Sequence, residues 1–295
     1  MSVYEKISGF ADEISQDFDQ QLKTVTDLGM KYICIRSAEH KGIADYTPEE
    51  VRTVLLPKLQ DAGVGVSSLG TAIGKVAVDD EEGFAKQLEQ LETLCETAKI
   101  LDCSFIRMFS FLIPKDADAD SYTDVVLDKL RQFIKIAEKH DMILLHENEK
   151  EIYGAMAPEC RKLMDTFYGD HFKAIFDFAN FVQCGQDTLE AYEMLKPYIA
   201  YIHVKDALKV DQSVVPAGYG DGNVEAILKD LFTSGFDGFL SLEPHLFDFS
   251  GFHALEKDGR SMAGKNRKAL SGLEAFTVAY EALKKILDAC SIEMV

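Results

Sequence analysis

Four side chains in this 295-residue sequence have the chemistry to hold a metal ion together: Glu147, Asp177, His203 and Glu243. Each stands at the end of a short apolar run, in "MILLHEN", "FKAIFDFANF", "IAYIHVKDA" and "GFLSLEPHL". Three carboxylates and an imidazole suit a hard or borderline divalent cation; we expect Mn²⁺, with Co²⁺, Mg²⁺ or Zn²⁺ as alternatives. With no cysteine in the set, a structural zinc site is disfavoured. Taken singly, each of the four reads as an ordinary polar loop residue, and His203 as a satisfied core histidine. Their arrival on successive strand ends is what points to a site. Side chains alternate along a strand, so Glu147 shares a face with Glu149, His203 with Lys205, and Glu243 with His245. Ala174 and Phe176 take the face opposite Asp177, and His146 points away from Glu147 to pack against helices.

The rest of the chain shows what would position them. A β-branched or aromatic run followed by an amphipathic stretch repeats along the sequence. "ISGFADEI", "KYICIRS", "GVSSLGTAI" and "SFIRMFSF" precede the four runs already quoted, giving eight strand–helix pairs. Helices are expected in "DFDQQLKTVTDLGM", "TPEEVRTVLLPKLQDAG" and "SYTDVVLDKLRQFIKIAEKHD". The first should start after Ser15 or Asp17 and stop at Gly29, and the second should start at Thr47-Pro48-Glu49. Alternation of this kind requires parallel strands with right-handed crossovers. Eight units favour an α/β fold of one domain over residues 1–295, a closed (β/α)8 TIM barrel, whose C-terminal strand ends form the mouth of the active site. An open doubly wound sheet is the competing architecture, but "GFADEISQD" after the first strand is no G-x-G-x-x-G phosphate turn. One long irregular segment, 247–272, precedes the last helix and concentrates Lys257, Arg260, Lys265, Arg267 and Lys268. It reads as a lid, an oligomer contact or a plain surface loop.

Composition narrows the function. The formal net charge is −19, from 50 acidic and 31 basic residues, a field that repels polyanions and argues against nucleic acid as substrate. Part of that acidity is solvated helix surface, as in "DDEEGFAKQLEQLE". No run approaches the roughly 18 apolar residues of a membrane helix, and Glu5 and Lys6 interrupt any leader-like start, so we expect a cytoplasmic protein. The six cysteines have no paired spacing and read as reduced core residues. In "PAGYGDGNVEAIL" the glycines permit a tight loop before a helix from Asn223, whose N-terminus could receive an anion. The segment lacks the lysine of a nucleotide-binding loop, so a plain connection is the preferred reading.

From "ISGFADEI" and "GMKYICIR", through "IRMFSF", "LLHENEKEIYG", "IFDFANF" and "YIHVKD", to "PAGYGDG" and "LSLEPHL", the chain resembles the sugar isomerase/epimerase family with a xylose-isomerase-like barrel. Position by position, the family's metal ligands fall on Glu147, Asp177, His203 and Glu243. The resemblance implies deprotonation beside a carbonyl, with Glu147 and Glu243 as the catalytic pair, one removing the proton and the other returning it. It also implies substrate-binding roles for Arg36, Arg107 and Lys205 at the mouth, with Lys205 beside the developing oxyanion, and for Lys209; for the first three, ordinary ion pairing is the competing reading. Two positions depart from the family's ketose epimerases: Asn180 stands where they carry histidine, and Lys209 where they carry arginine. Lysine does not reproduce the bidentate fork of arginine, so the implied substrate need not be a free ketose. Relatives on this scaffold include isomerases, dehydratases acting on keto-inositols and lyases of keto-glycosides. Abasic-site endonucleases share the barrel but use extra histidine ligands, and seven histidines with a −19 charge argue against that activity. A non-catalytic sugar-binding subunit is a further alternative. Family barrels are often dimers or tetramers, so a homo-oligomer is possible on that ground alone.

Overall fold

The structure is a computed structural model that describes residues 3–115, 117–246 and 270–293. Most of the irregular segment before the last helix, with its five basic residues, lies outside the described residues.

Eight parallel strands form the barrel: β1 Ile7–Gly9, β2 Tyr32–Ile35, β3 Gly65–Ile73, β4 Phe105–Met108, β5 Ile143–Glu147, β6 Phe172–Asp177, β7 Ile199–Val204 and β8 Phe239–Leu242. Hydrogen bonding runs β1-β8-β7-β6-β5-β4-β3-β2, and a parallel bridge between Phe10 and Cys34 brings β1 back to β2. The expected TIM barrel is therefore what forms, nearly closed. The helices between strands are α1 Phe18–Asp27, then α2 in three joined segments (Pro48–Glu50, Val51–Leu55, Leu56–Ala62), α3 Glu81–Ile100 and α4 Thr123–His140. They continue as α5 Ala157–Phe167, α6 Phe178–Gln183, α7 Thr188–Leu195, α8 Val224–Thr233 and α9 Gly272–Glu293. None of the described helices is long and apolar enough to cross a membrane.

The expected caps are present. Asp17 accepts from the Gln20 N–H and starts α1, while Thr47 and Glu50 form a reciprocal capping box ahead of Pro48. Several strands are shorter than their apolar runs. After Gly9 the chain turns through Ala11–Glu13 instead of continuing extended, and after Asp177 it enters α6 at once.

Alternation divides each strand between two cores. Outward residues such as Leu144, Phe176, Ile202 and Leu240 pack into the main core against the helices. At Gly9 the last helix comes so close that an added Cβ would lie 2.6 Å from the Phe276 ring. Inward residues Leu145, Ile175 and Tyr201, with Phe105, Ile143 and Phe239 against them, plug the lower barrel. Above this plug the Ser8, Ser67 and Tyr201 hydroxyls link at 2.5 and 2.8 Å. Higher again, the inward positions become ionisable. The fold therefore places its charges on an apolar floor, at the C-terminal mouth.

Candidate active site

Register sets the four candidate ligands at one level. Asp177 pairs across the ladder with His203, and Ser241 pairs with His203 on the other side, so Glu243, one past the end of β8, follows on the same side as Ser241. All four are buried, and one ligand atom from each lies within 4.8 Å of the others. His203 Nδ1 is 2.8 Å from Glu147 Oε1, 3.7 Å from Glu243 Oε2 and 3.9 Å from Asp177 Oδ2. The structure thus brings the four together as the strand ends implied.

Local structure fixes each carboxylate. Asp177 caps α6, with Oδ1 accepting from Asn180 N–H at 2.8 Å, which leaves Oδ2 facing the group without a hydrogen-bond partner. A buried carboxylate oxygen lacking such a partner is costly unless cations satisfy it, and Lys205 Nζ, at 3.2 Å, does so in part. The residues therefore fit a divalent ion: three hard oxygen donors, one imidazole, and an unused buried lone pair. Asn148 brackets the Asp177 backbone, donating to its carbonyl at 3.0 Å and accepting from its N–H at 2.9 Å. Asn180 in turn donates to the Asn148 carbonyl at 2.8 Å and to Glu147 Oε1 at 3.4 Å.

Three cations surround the group. Lys205 Nζ lies 2.7 Å from Glu243 Oε2 and 3.2 Å from Asp177 Oδ2. Arg107 Nη1 lies 3.1 Å from Glu147 Oε2 and 3.5 Å from Glu243 Oε1, and its Nε donates to the Thr71 carbonyl. Arg36 grips Asp12 through Nε at 2.8 Å and Nη2 at 3.1 Å, and reaches Glu243 Oε1 at 3.3 Å. Both guanidinium groups sit on the Phe10 ring, at 4.7 and 4.9 Å from its centroid. Burial pushes the Glu243 carboxyl up, but Lys205, His245, His203 and Arg107 together carry it well below the usual carboxylate range. For Glu147, burial is likewise outweighed by His203 and Arg107, and the net direction is down. At Asp177 burial wins over Lys205, and the carboxyl moves up.

Lys209 is not brought into this group. A short hairpin pairing Asp206–Ala207 with Val214–Val215 carries it outward, and its half-exposed ammonium lies 3.8 Å from Asp187. Glu149 stands at the rim, 3.2 Å from Lys75. The glycine loop of "PAGYGDG" is a plain connection with a structural purpose. Its Gly218, Gly220 and Gly222 N–H groups, with Ala207 N–H, donate to the Asp206 carboxylate at 2.8–3.1 Å. An added Cβ at Gly220 or Gly222 would lie 2.4 or 2.6 Å from Asp206 Oδ1, so the loop can close only around glycine. The loop donors are thus spent on the protein's own carboxylate.

Sequence reasoning missed Asp12 and Glu13. Both are buried beneath Arg36, and Glu13 also accepts from the His245 N–H at 2.8 Å while its Oε1 lies 3.4 Å from His245 Nε2. Burial holds the Glu13 carboxyl up at about 8 against the pull of Arg36. The signal existed, since Asp12 and Glu13 come just after the first strand as Glu147 ends the fifth, but "ISGFADEI" reads as one extended run. His245 does share the Glu243 side, 3.6 Å from it, although the strand has ended and the residue is in the left-handed region at φ 46°.

His146 faces the helices, where Nε2 meets Ser110 Oγ at 2.9 Å. Burial depresses its imidazole to about 4, so the folded state keeps it neutral. The unfolded chain, with an ordinary value of about 6.5, takes up the proton first as pH falls. Its contribution to stability is present above about pH 6.5 and is lost as pH falls toward 4. Relative to a His146→Gln variant, the wild type should lose about 3 kcal/mol more between those limits in urea titrations. Equal losses in the two proteins would contradict the assignment.

Residues 22–258 match the family described as the xylose isomerase-like TIM barrel, and the chain belongs to that family. A 3-dehydroshikimate dehydratase of Bacillus anthracis is 21% identical over 128 residues, 43% of this chain and 46% of that relative. The match therefore spans under half the length of that relative. A D-tagatose 3-epimerase-like protein superposes with a TM-score of 0.75 at 15% identity, covering 98% of this chain and all of the other. The IOLI protein, in a structure with a bound zinc atom, gives 0.72 at 16%, covering 96% and 98%. At such identities the structural likenesses establish the fold.

Proposed function

We propose that this protein is a divalent-metal-dependent isomerase or epimerase of a sugar or sugar derivative, acting by proton transfer at the carbon beside a carbonyl. The observation that carries this reading is the buried group of Glu147, Asp177, His203 and Glu243 on four adjacent strand ends, with Lys205 among its carboxylates. Those four residues would hold the ion, for which we take Mn²⁺ first and Co²⁺, Mg²⁺ or Zn²⁺ as alternatives. When bound, such an ion supplies Lewis acidity toward the carbonyl and the hydroxyl next to it.

The protein's own residues do the rest. One of Glu147 and Glu243 takes the C–H proton and the other returns a proton, to the same carbon for epimerisation or to the neighbouring carbon for isomerisation, the hydroxyl proton then passing to the former carbonyl oxygen. The surrounding cations hold both below the usual carboxylate range. The residue that returns the proton takes one up from solvent before the substrate binds and ends the turnover as a carboxylate, while its partner ends it protonated and releases that proton to solvent. Lys205 meets the negative charge that develops on the substrate oxygen, and Arg36 and Arg107 hold the two glutamates in place across the Phe10 ring. Burial excludes water from the group. We assign Arg36, Arg107 and Lys205 to substrate orientation as well, since each borders the mouth.

A second reading, a lyase or dehydratase acting on a keto sugar or keto-inositol, is favoured by the similarity to the dehydratase. It begins with the same proton abstraction and ends with departure of a β-oxygen. One experiment addresses both. The Mn²⁺-loaded protein is incubated in D₂O with a panel of ketoses, ketose phosphates, keto-glucosides and keto-inositols, followed by ¹H NMR. Deuterium uptake beside the carbonyl with a new sugar signal supports the first reading, and an unsaturated product supports the second. A panel that shows neither, with metal bound, would leave only the non-catalytic sugar-binding role.

A further inference from the structure

The three cations around the site are not equivalent. Arg36 has its own buried partner in Asp12, held through two nitrogens, and Arg107 is anchored by the Thr71 carbonyl. Lys205 differs. Arg107 also pairs with Glu147 and Glu243 but has the Thr71 carbonyl besides, whereas among the described residues the hydrogen bonds and ion pairs of Lys205 run to Glu243, at 2.7 Å, and Asp177, at 3.2 Å, and so stay within the four candidate metal ligands. The Asp177 oxygen it approaches, Oδ2, has no hydrogen-bond partner, and the lysine side chain is 4% exposed. Lys205 follows His203 by two residues, one past the end of β7, and both side chains reach the same group of oxygens.

Resting on the metal-site reading above, we propose that Lys205 is a resident counter-ion that shares its carboxylates with the divalent ion and holds metal affinity below what the four ligands alone would give. Two like charges contending for the same oxygens at low dielectric repel one another by several kcal/mol at contact distances. The lysine also satisfies Asp177 and Glu243 in advance, so a binding ion gains less from each. The same ammonium is then kept beside the metal, where negative charge forms on the substrate. Lys205 is on this account an affinity-setting residue, and its role can be read without turnover.

The test is a Mn²⁺ titration followed by EPR on the chelator-treated wild type and on Lys205→Met and Lys205→Gln, with circular dichroism on each. Removing the ammonium should tighten Mn²⁺ binding by about tenfold or more, whereas Asp177→Asn should weaken it. Variants that lose their folded spectrum without metal and regain it on adding Mn²⁺ support the proposal equally, because the ion then replaces the missing charge. Variants that fail to recover, or that bind Mn²⁺ no tighter than the wild type, overturn it while leaving the metal site intact. A wild type and variants that all bind no Mn²⁺ would instead remove the functional reading together with this one.

Discussion

A Glu147→Gln protein should keep its fold and lose about 10³-fold or more in kcat/KM for solvent proton exchange into its substrate. Glutamine matches the shape of glutamate, so Oε1 can still face His203 Nδ1, which lies 2.8 Å away, and Asn180. What disappears is the basicity that takes the proton and the charge that a divalent ion requires. Both losses bear on the chemical step, so the deficit should appear in kcat as well as in KM. Glu243→Gln should behave similarly, since that carboxylate is the partner on the other strand end. The check is deuterium incorporation by NMR beside circular dichroism of the same sample. A Glu147→Gln protein exchanging at even a tenth of the wild-type rate would take that residue out of the proton path.

Arg36→Met should destabilise the protein by roughly 3–5 kcal/mol, because it strands buried carboxylates without a partner. Asp12, Glu13 and Glu243 all lie within 3.4 Å of the guanidinium, and all three are buried. Breaking such a pair costs far more than losing an exposed one, which contributes at most about 1 kcal/mol. For a chain of this size the fall in Tm should be about 10 °C. Arg36→Lys should fall between the two proteins, keeping the charge but not the two-pronged grip on Asp12. A Met variant within about 1 kcal/mol of the wild type would show that these carboxylates are compensated by something other than Arg36.

The parts of the site that were legible in the sequence are those that depend on periodicity. Glu147, Asp177, His203 and Glu243 end four apolar runs, and the alternation of each strand decides which side of the wall they face. His146 was separable from Glu147 by the same rule, and it does point away from the group. What was hidden depends on where the chain stops being periodic. Asp12 and Glu13 reach Arg36 because β1 ends at Gly9 and a single turn redirects the chain. Lys209 lies six residues after His203, but the hairpin at Asp206–Ala207 reverses the chain before that spacing can reach the mouth. The glycines of "PAGYGDG" announced a tight loop, while their shared partner, Asp206, is set by packing that no local pattern encodes. The eight-unit barrel was legible as a count of repeats, whereas strand lengths were not, since caps and turns cut into the apolar runs.

Elemental analysis decides whether the four strand-end residues form one divalent-metal site. Purified wild type should carry close to one Mn, Co, Mg or Zn ion per chain, and a double variant, Glu147→Gln with His203→Ala, should carry close to none. Absence of bound metal from both proteins after incubation with excess Mn²⁺ would contradict the account.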